Sequence, residues 1–300
     1  MALLRRTFQL QYQLSDVTTN ISKKMKHIIS LALALSLTSA YSQTLTLKWK
    51  TDATLPVSES VAFDSKNNVL YVSCVDGKPD EKDGKGSIGK VAPDGKVIAA
   101  QWVSGLDAPK GLGIFKDNLY VTDITKIVTI NIPTGKITGS VEVPGAKFLN
   151  DITVDSKGNV YASDTQTGKI HILKDGKVDV FFESTEFKGV NGLLAIGNDL
   201  YVVDFPTGTN YKLTADKKLS TVCKTGEGAD GIVPFGNNEY LVSSWHGEVY
   251  FINAKGESKK LVDTKEEKIN AADIEYDAKT KTLFVPTFFA NGVTAYTFSR

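Results

Sequence analysis

The sequence predicts an all-β fold, a six-bladed β-propeller with four antiparallel strands per blade. One observation is an aromatic residue that recurs at spacings of 49, 41, 40, 39 and 44 residues, at Tyr71, Tyr120, Tyr161, Tyr201, Tyr240 and Phe284. The other is that each repeat contains short strand-like runs rich in β-branched and aromatic residues. A period of about 40 residues built from such runs is typical of radial repetition, and four antiparallel strands per unit define a propeller blade.

The repeats share one internal order: a polar residue, an apolar strand, a turn, and a second strand with the aromatic. They read SESVAFDSKNNVLYVSC (58–74), PKGLGIFKDNLYVTD (109–123), FLNDITVDSKGNVYASD (148–164), VNGLLAIGNDLYVVD (190–204), ADGIVPFGNNEYLVSS (229–244) and AADIEYDAKTKTLFVPT (271–287). Two further strand-like runs follow each pair, except in the last repeat, where one is missing. We expect TLTLKWK (44–50) to supply that strand, so that the N-terminal strand of the mature chain closes the ring.

The segment before the first repeat has the pattern of an export signal. Residues 25–42 combine a basic start, an apolar run from Ile28 to Leu37, and Ala40 and Ser42 at the −3 and −1 positions of a cleavage site. The run is too short to span a bilayer. We therefore predict a leader over 1–42 with the signal proper at 25–42, and a mature propeller over 43–300 that is periplasmic or secreted and has no transmembrane segment.

The amino-acid composition limits the classes of partner that the chain is expected to bind. The 300 residues are 41% hydrophobic and 23% charged, and the formal net charge is +1. Without a basic stripe, nucleic acid is excluded as the main partner. We expect a monomer that binds a small molecule.

The chain has two cysteines, Cys74 and Cys223. They fall in the first and fourth repeats, which lie opposite each other in a six-bladed ring. That separation exceeds the roughly 7 Å Cα distance that a disulfide tolerates. We expect both to be free and mostly buried.

The equivalent positions at the start of the six first strands form a column, and five of the six are polar. These positions are Glu59, Lys110, Asn150, Asn191, Asp230 and Ala272. The first strand of a propeller blade is innermost, so the column should converge at one end of the central channel. Such residues also initiate turns, but turn formation does not explain four oxygen-bearing side chains in one layer. Carboxylate and amide oxygens without His or Cys favour a hard cation, Ca²⁺ first, with Mg²⁺, Mn²⁺ or Zn²⁺ as the other candidates.

On these residues the chain resembles the gluconolactonase, senescence-marker protein (regucalcin) and luciferin-regenerating enzyme family, six-bladed propellers that hydrolyse sugar lactones at a central divalent ion. Glu59, Asn191 in VNGL and Asp230 in ADGI match the family's metal ligands, and Asn150 in FLND matches a residue that contacts substrate or the ion's water. The resemblance implies that Asp230 helps to deprotonate the attacking water, in relay through bound water, and that Asn150 orients the substrate.

Two positions depart from the family pattern. Phe148 stands where the family has a substrate-contacting Arg, so sugar contacts are lost unless Lys147 supplies them. Lys110 would oppose a cation if its ammonium entered the site; it could pair with Glu59 or Asp230 in place of the metal, or turn outward to solvent.

The loops between second and third strands should share the face on which the column lies. They carry an insertion at 75–87 that could act as a lid. They also carry aromatic residues that could form an apolar wall for a substrate with a hydrophobic or ring component, and these are Phe205, Trp245, Phe288 and Phe289. His246 lies beside them as a candidate acid or base, although a lone loop histidine is more often a solvated group.

Together the sequence predicts an exported, metal-dependent, lactonase-like hydrolase. The catalytic residues would be Asp230 and Asn150, and the metal ligands Glu59, Asn150, Asn191 and Asp230. The alternative is a non-catalytic propeller that binds a small molecule, a carbohydrate or a protein at the same mouth.

Overall fold

The computed structural model describes residues 43–300, and the predicted leader and signal lie outside them. Those residues contain 24 strands. In chain order they are β1 (Thr44–Lys50), β2 (Ser58–Asp64), β3 (Val69–Cys74), β4 (Gly86–Val91), β5 (Val97–Leu106), β6 (Pro109–Phe115), β7 (Asn118–Asp123), β8 (Lys126–Asn131), β9 (Lys136–Glu142), β10 (Leu149–Val154), β11 (Val160–Asp164), β12 (Lys169–Lys174), β13 (Lys177–Glu183), β14 (Val190–Ile196), β15 (Asp199–Asp204), β16 (Thr209–Leu213), β17 (Leu219–Lys224), β18 (Ala229–Gly236), β19 (Glu239–Ser244), β20 (Glu248–Ile252), β21 (Ser258–Asp263), β22 (Glu275–Asp277), β23 (Thr282–Pro286) and β24 (Val293–Ser299). Within the described chain no helix occurs that is long and apolar enough to cross a membrane.

The strands form six antiparallel sheets of four, which confirms the predicted β-propeller. Blades 1 to 5 are consecutive sets, from β2–β5 to β18–β21. Blade 6 has the order β1-β24-β23-β22, so the strand at 44–50 completes it from the other end of the chain. In that blade Thr44 pairs with Ser299 and Lys50 with Thr294. This ladder closes the ring as the sequence predicted.

The cores lie between neighbouring blades and contain the repeated aromatic residues. Tyr71 packs with Leu112 and Val121 of the next blade, and Tyr161 packs with Val202. Burial of such side chains stabilises each blade against its neighbour. Cys74 is free and buried, as predicted, whereas Cys223 is free but only half-buried.

A bulge interrupts the inner strand of blades 1 to 5 at the level of the polar column. In blade 3 the register shifts between Leu149 and Ile152, and in blade 1 between Ser58 and Val61. A hydroxyl on the second strand accepts the N–H that the bulge leaves unpaired: Ser73 Oγ from Ser60 N, and Ser163 Oγ from Asp151 N, both at 2.9 Å. Because a bulge breaks the alternation of side chains, two consecutive residues can face the channel.

The second residue of each bulge forms its own layer. In blades 2, 4 and 5 it is Gly111, Gly192 or Gly231, where a Cβ atom would lie within 2.6 Å of the neighbouring blade. In blades 1 and 3 it is Ser60 or Asp151, and Asp273 holds the matching position in blade 6, where Ser60 and Asp273 form a bridge. The glycines let the inner strands approach closely, which keeps the channel narrow.

Candidate functional site

Five of the six column residues line one cavity of about 330 Å³ at an end of the central channel. They are Glu59, Lys110, Asn150, Asn191 and Asp230. The sixth, Ala272, is buried but is not among the residues that line this cavity. The bulges therefore bring together residues that are up to 171 positions apart in the sequence, from Glu59 to Asp230.

The polar floor of the cavity contains acceptor atoms that lack donors. Within the described chain, Glu59 Oε2, Asn150 Oδ1 and Asn191 Oδ1 are buried and accept no hydrogen bond. The two amide nitrogens are occupied: Asn191 Nδ2 donates to Asp230 Oδ1 at 2.8 Å, and Asn150 Nδ2 donates to Thr165 Oγ1 at 3.3 Å. Buried polar atoms without partners are rare in folded proteins.

These oxygens fit a hard cation. Carboxylate and amide oxygens are the ligands that Ca²⁺ and Mg²⁺ take in proteins. No group of three His, Cys, Asp or Glu side chains placed to hold a metal ion occurs among residues 43–300. A cation here would therefore depend on the oxygens of Asn150 and Asn191 as well as on Glu59 and Asp230.

Burial also weakens the ionised forms of the two carboxyls. Burial, followed by the charges of Asp230 and Asp273, raises the pKa of Glu59 well above its ordinary value, against a smaller opposing effect of Lys110. Burial and Asp273 likewise raise the pKa of Asp230, against the hydrogen bond from Asn191. A cation in contact with these groups would reverse the effect, because an opposite charge favours the ionised form.

Lys110 is buried at the edge of the cavity, so the alternative that it turns outward to solvent is wrong. Its Nζ donates to Pro79 O at 2.7 Å and to Ala108 O at 3.1 Å, and it lies 4.4 Å from the centre of the Phe148 ring. Burial lowers the pKa of Lys110 to about 8, against the attraction of Glu59. Within residues 43–300 no ion pair joins Lys110 to Glu59 or Asp230. The ammonium is held by one carbonyl of the 75–87 insertion and by the Ala108 carbonyl, rather than by the column.

The wall of the cavity is aromatic. Phe148, Phe205, Trp245, Phe288 and Phe289 all line it. The insertion of blade 1 contributes Val75, Gly77 and Pro79. His246 is exposed beside Trp245 and Phe205 and does not line the cavity. Lys147 is also exposed, and its backbone N–H donates to Asp164 Oδ2 at 3.0 Å.

Simple strand alternation would turn Asp151 away from the column, and the structure places it in a separate layer of the channel. It is buried, and its Oδ2 accepts from Leu193 N at 2.5 Å while its Oδ1 accepts from Ile152 N at 2.6 Å. Burial, then the charge of Asp273, raises its pKa. The bulge places both Asn150 and Asp151 on the channel side.

Asp273 is a channel residue that the sequence reasoning missed. It is buried and accepts from Ser60 Oγ at 2.6 Å, and its charge adds to the effect of burial in raising the pKa of Asp151. With Asp151 and Glu275 it lines a second cavity of about 270 Å³ at the inner-strand level. The signal was the Asp that follows Ala272 in AADI, at the position of Asp151 in FLND.

A second set of residues that was not predicted consists of aspartates, which hydrogen-bond the backbone of the loops that lead into the column. Asp123, Asp164 and Asp204 end the second strands of blades 2, 3 and 4 and are buried. Asp164 accepts from Lys147 N and Phe148 N at 3.0 and 2.9 Å, and Asp204 accepts from Lys188 N and Gly189 N at 2.7 and 2.9 Å. The repeated endings YVTD, YASD and YVVD were the available signal.

The fold and the site together define a six-bladed propeller with an oxygen-rich floor and an aromatic wall at one end of its channel. Comparison with known proteins gave structural neighbours only; no family model and no curated protein matches the chain. A gluconolactonase from Xanthomonas campestris is similar at a TM-score of 0.64 and 16% identity, over 85% of this chain and 89% of that one.

Other neighbours share the architecture with different activities. A catalytically inactive variant of virginiamycin B lyase from Staphylococcus aureus, solved with quinupristin, has a TM-score of 0.61 and 15% identity over 85% of this chain and 99% of that one. A chain of a nidogen–laminin complex has a TM-score of 0.57 and 18% identity over 71% of this chain and 82% of that one. The neighbours include a gluconolactonase, as the resemblance implied, and at these identities the likeness establishes the fold.

Proposed function

We propose that this propeller is an exported hydrolase, periplasmic or secreted, that opens a lactone with the help of a divalent cation, Ca²⁺ in the first place. One observation carries the proposal: three buried oxygens, on Glu59, Asn150 and Asn191, face one cavity without a hydrogen-bond donor. A cation that entered the cavity could take all three as ligands.

The roles of the residues follow from their contacts. Glu59, Asn191 and Asp230 would hold the cation, with the Asn191 amide fixed by its donation to Asp230. Asn150, anchored on Thr165, would orient the cyclic ester over the floor. Asp230 would accept the proton of the attacking water. The bound ion would supply Lewis-acid chemistry to the ester carbonyl.

The structural neighbours support this proposal at the level of the fold. Two of them are enzymes, a gluconolactonase and a streptogramin B lyase, on the same architecture. One fold can carry unrelated activities, so the residues of the floor, rather than the fold, favour ester hydrolysis at an ion.

Cation binding is tested by thermal unfolding after treatment with a chelator. The wild-type protein should gain stability on addition of Ca²⁺, because a ligand that binds only the folded state raises its midpoint. Asp230→Ala should abolish that gain, while Asp216→Ala, at an exposed turn, should retain it. A wild type that responds to none of Ca²⁺, Mg²⁺, Mn²⁺ and Zn²⁺ would contradict the metal-dependent mechanism.

Hydrolysis is tested in the same preparation with a panel of aliphatic, aromatic and sugar lactones. We expect turnover of at least one lactone that is lost on chelation and restored by Ca²⁺. A protein that binds the ion but opens no lactone would leave the ion site in place and contradict the hydrolase.

The second candidate is a binding module without catalysis, in which the positive charge at the mouth comes from Lys110. The buried ammonium near Glu59 favours it. The contacts of that ammonium with Pro79 O and Ala108 O weigh against it, because two of its three donors are already used by backbone carbonyls. Lys110→Met separates the two: it should preserve the Ca²⁺ response of a metal site and reduce ligand binding by a Lys110-dependent module.

A further inference from the structure

The aromatic wall is a built surface rather than a set of isolated side chains. Trp245, Phe288 and Phe289 meet in edge-to-face pairs, with ring centres 5.4 Å apart for Trp245–Phe288, 5.8 Å for Trp245–Phe289 and 4.8 Å for Phe288–Phe289. Phe148 and Phe205 extend the wall on blades 3 and 4. Aromatic pairs in this geometry hold each other in place.

The backbone under this corner is strained and fixed. Phe288 has a φ of 46°, a conformation that bulky residues rarely adopt. It persists because Phe288 N donates to Ser58 O at 3.1 Å, and because Asn291 Oδ1 accepts from Val57 N at 2.9 Å. Strain of this kind survives where the surrounding contacts determine it, and it is concentrated at ligand sites.

Most of the polar side-chain groups on the wall are already engaged. Lys110 donates to two carbonyl oxygens and faces the Phe148 ring. Thr165 Oγ1 donates to Val190 O at 2.8 Å and accepts from Asn150. Lys110 has one N–H donor left after its two bonds, so the wall offers few partners, and most hydroxyl groups of a polyhydroxylated substrate would lose water there without gaining one.

The rim also offers apolar area to a ligand. The Phe289 side chain is 63% exposed although it packs on Trp245 and Phe288. A ring or alkyl chain placed against it would remove apolar surface from water, which favours binding. A polyhydroxylated ring would gain much less from the same contact.

From these contacts we infer the substrate class: a cyclic ester that carries an aryl or alkyl substituent, rather than a polyhydroxylated sugar lactone. That the substrate is an ester rests on the proposed function. That it carries an apolar substituent rests on the aromatic wall alone. The ester faces Glu59, Asn150, Asn191 and Asp230, and the substituent packs on Trp245, Phe288 and Phe289.

The catalytic test compares a phenyl- or alkyl-substituted δ-lactone with glucono-δ-lactone in the presence of Ca²⁺. We expect kcat/KM to favour the substituted lactone by at least about tenfold, since the apolar wall contacts the substituent and leaves most sugar hydroxyl groups unpaired. Trp245→Ala should reduce that preference, and Trp245→Phe should restore most of it.

The control variant is Trp102→Ala. Trp102 stacks on Tyr71 in blade 1, with ring centres 4.7 Å apart, and does not line the cavity. The Trp102→Ala variant should be less stable than the wild type, but its ratio of kcat/KM for the substituted lactone to kcat/KM for glucono-δ-lactone should be unchanged. A ratio that shifts equally in both variants would contradict a role for Trp245 in selecting the substrate.

A binding test separates this inference from the proposed function. The corresponding δ-lactams, phenyl-substituted and polyhydroxylated, resist hydrolysis and can be titrated calorimetrically into the wild-type protein. Tight binding of the phenyl lactam, without turnover of any lactone, would support the apolar site and overturn the hydrolase. Equal or tighter binding of the polyhydroxylated lactam, or no binding of either, would overturn the substrate class.

Discussion

Asn191 donates its side-chain amide to Asp230 across the boundary between blades 4 and 5, at 2.8 Å. The direction of this bond decides the chemistry of the floor. Because the nitrogen faces the carboxylate, the Asn191 oxygen is left to face the cavity without a donor. One hydrogen bond thus orders one candidate ligand and exposes another.

Asn191→Asp should turn this hydrogen bond into a repulsion between two buried carboxylates. Without a cation the variant should lose about 1–3 kcal/mol of unfolding free energy, because two adjacent buried carboxyls cannot both ionise without cost. Added Ca²⁺ should recover most of the loss, since the extra charge is itself a ligand. Urea unfolding with chelator and with Ca²⁺ checks this, and a loss that is the same in both conditions would contradict it.

Asp164→Ala should loosen the loop that carries Phe148 and Asn150. It removes the acceptor of Lys147 N and Phe148 N, and each buried donor left unpaired costs about 1–3 kcal/mol. We expect a lower unfolding midpoint and faster amide exchange at residues 147–150. Asp216→Ala, at an exposed turn, serves as the control, and protection of 147–150 that stays unchanged would contradict this role of Asp164.

Glu275→Gln should remove part of the pH dependence of stability. Burial raises the pKa of Glu275 from 4.5 to about 7. The folded chain therefore keeps a proton that the unfolded chain has released, so stability falls as the pH rises from 4.5 to about 7. Asp273, whose pKa burial raises to about 6, acts in the same direction.

The difference in stability between the variant and the wild type should be smallest at pH 5, and the variant should be more stable at pH 8 by about 3 kcal/mol, at 1.4 kcal/mol per unit of pKa. Urea unfolding at pH 5, 6, 7 and 8 measures the difference. Glu186→Gln, at an exposed position, should keep the wild-type slope. A Glu275→Gln variant with the wild-type slope would show that Glu275 is not protonated in the fold.

The sequence predicted the blades because they repeat. The spacing of the aromatic residues and the missing last strand led directly to the six sheets and to closure by β1. The column could be read as well, since equivalent positions in a radial repeat must meet at the axis. These are consequences of periodicity, which a single sequence displays.

The features of the site that could not be predicted from the sequence depend on the bulges and on side-chain contacts. Strand alternation would turn Asp151 away from the column, whereas the bulge lets it face the channel in the next layer. The contact of Lys110 with Pro79 joins an insertion to a column residue and has no periodic signal. Asp273 was not predicted, because the column position in its repeat is Ala272, which carries no polar group.

Calorimetric titration of Ca²⁺ into chelator-treated protein tests the central claim, that the floor oxygens bind one cation. We expect one ion per chain in the wild type, and affinity at least about tenfold weaker in Asp230→Asn, which keeps the shape and removes the charge of a ligand. Asp216→Asn, far from the cavity lining, should titrate as the wild type does. Absence of heat with Ca²⁺, Mg²⁺, Mn²⁺ and Zn²⁺ in the wild type, or equal affinity in Asp230→Asn, would contradict the site.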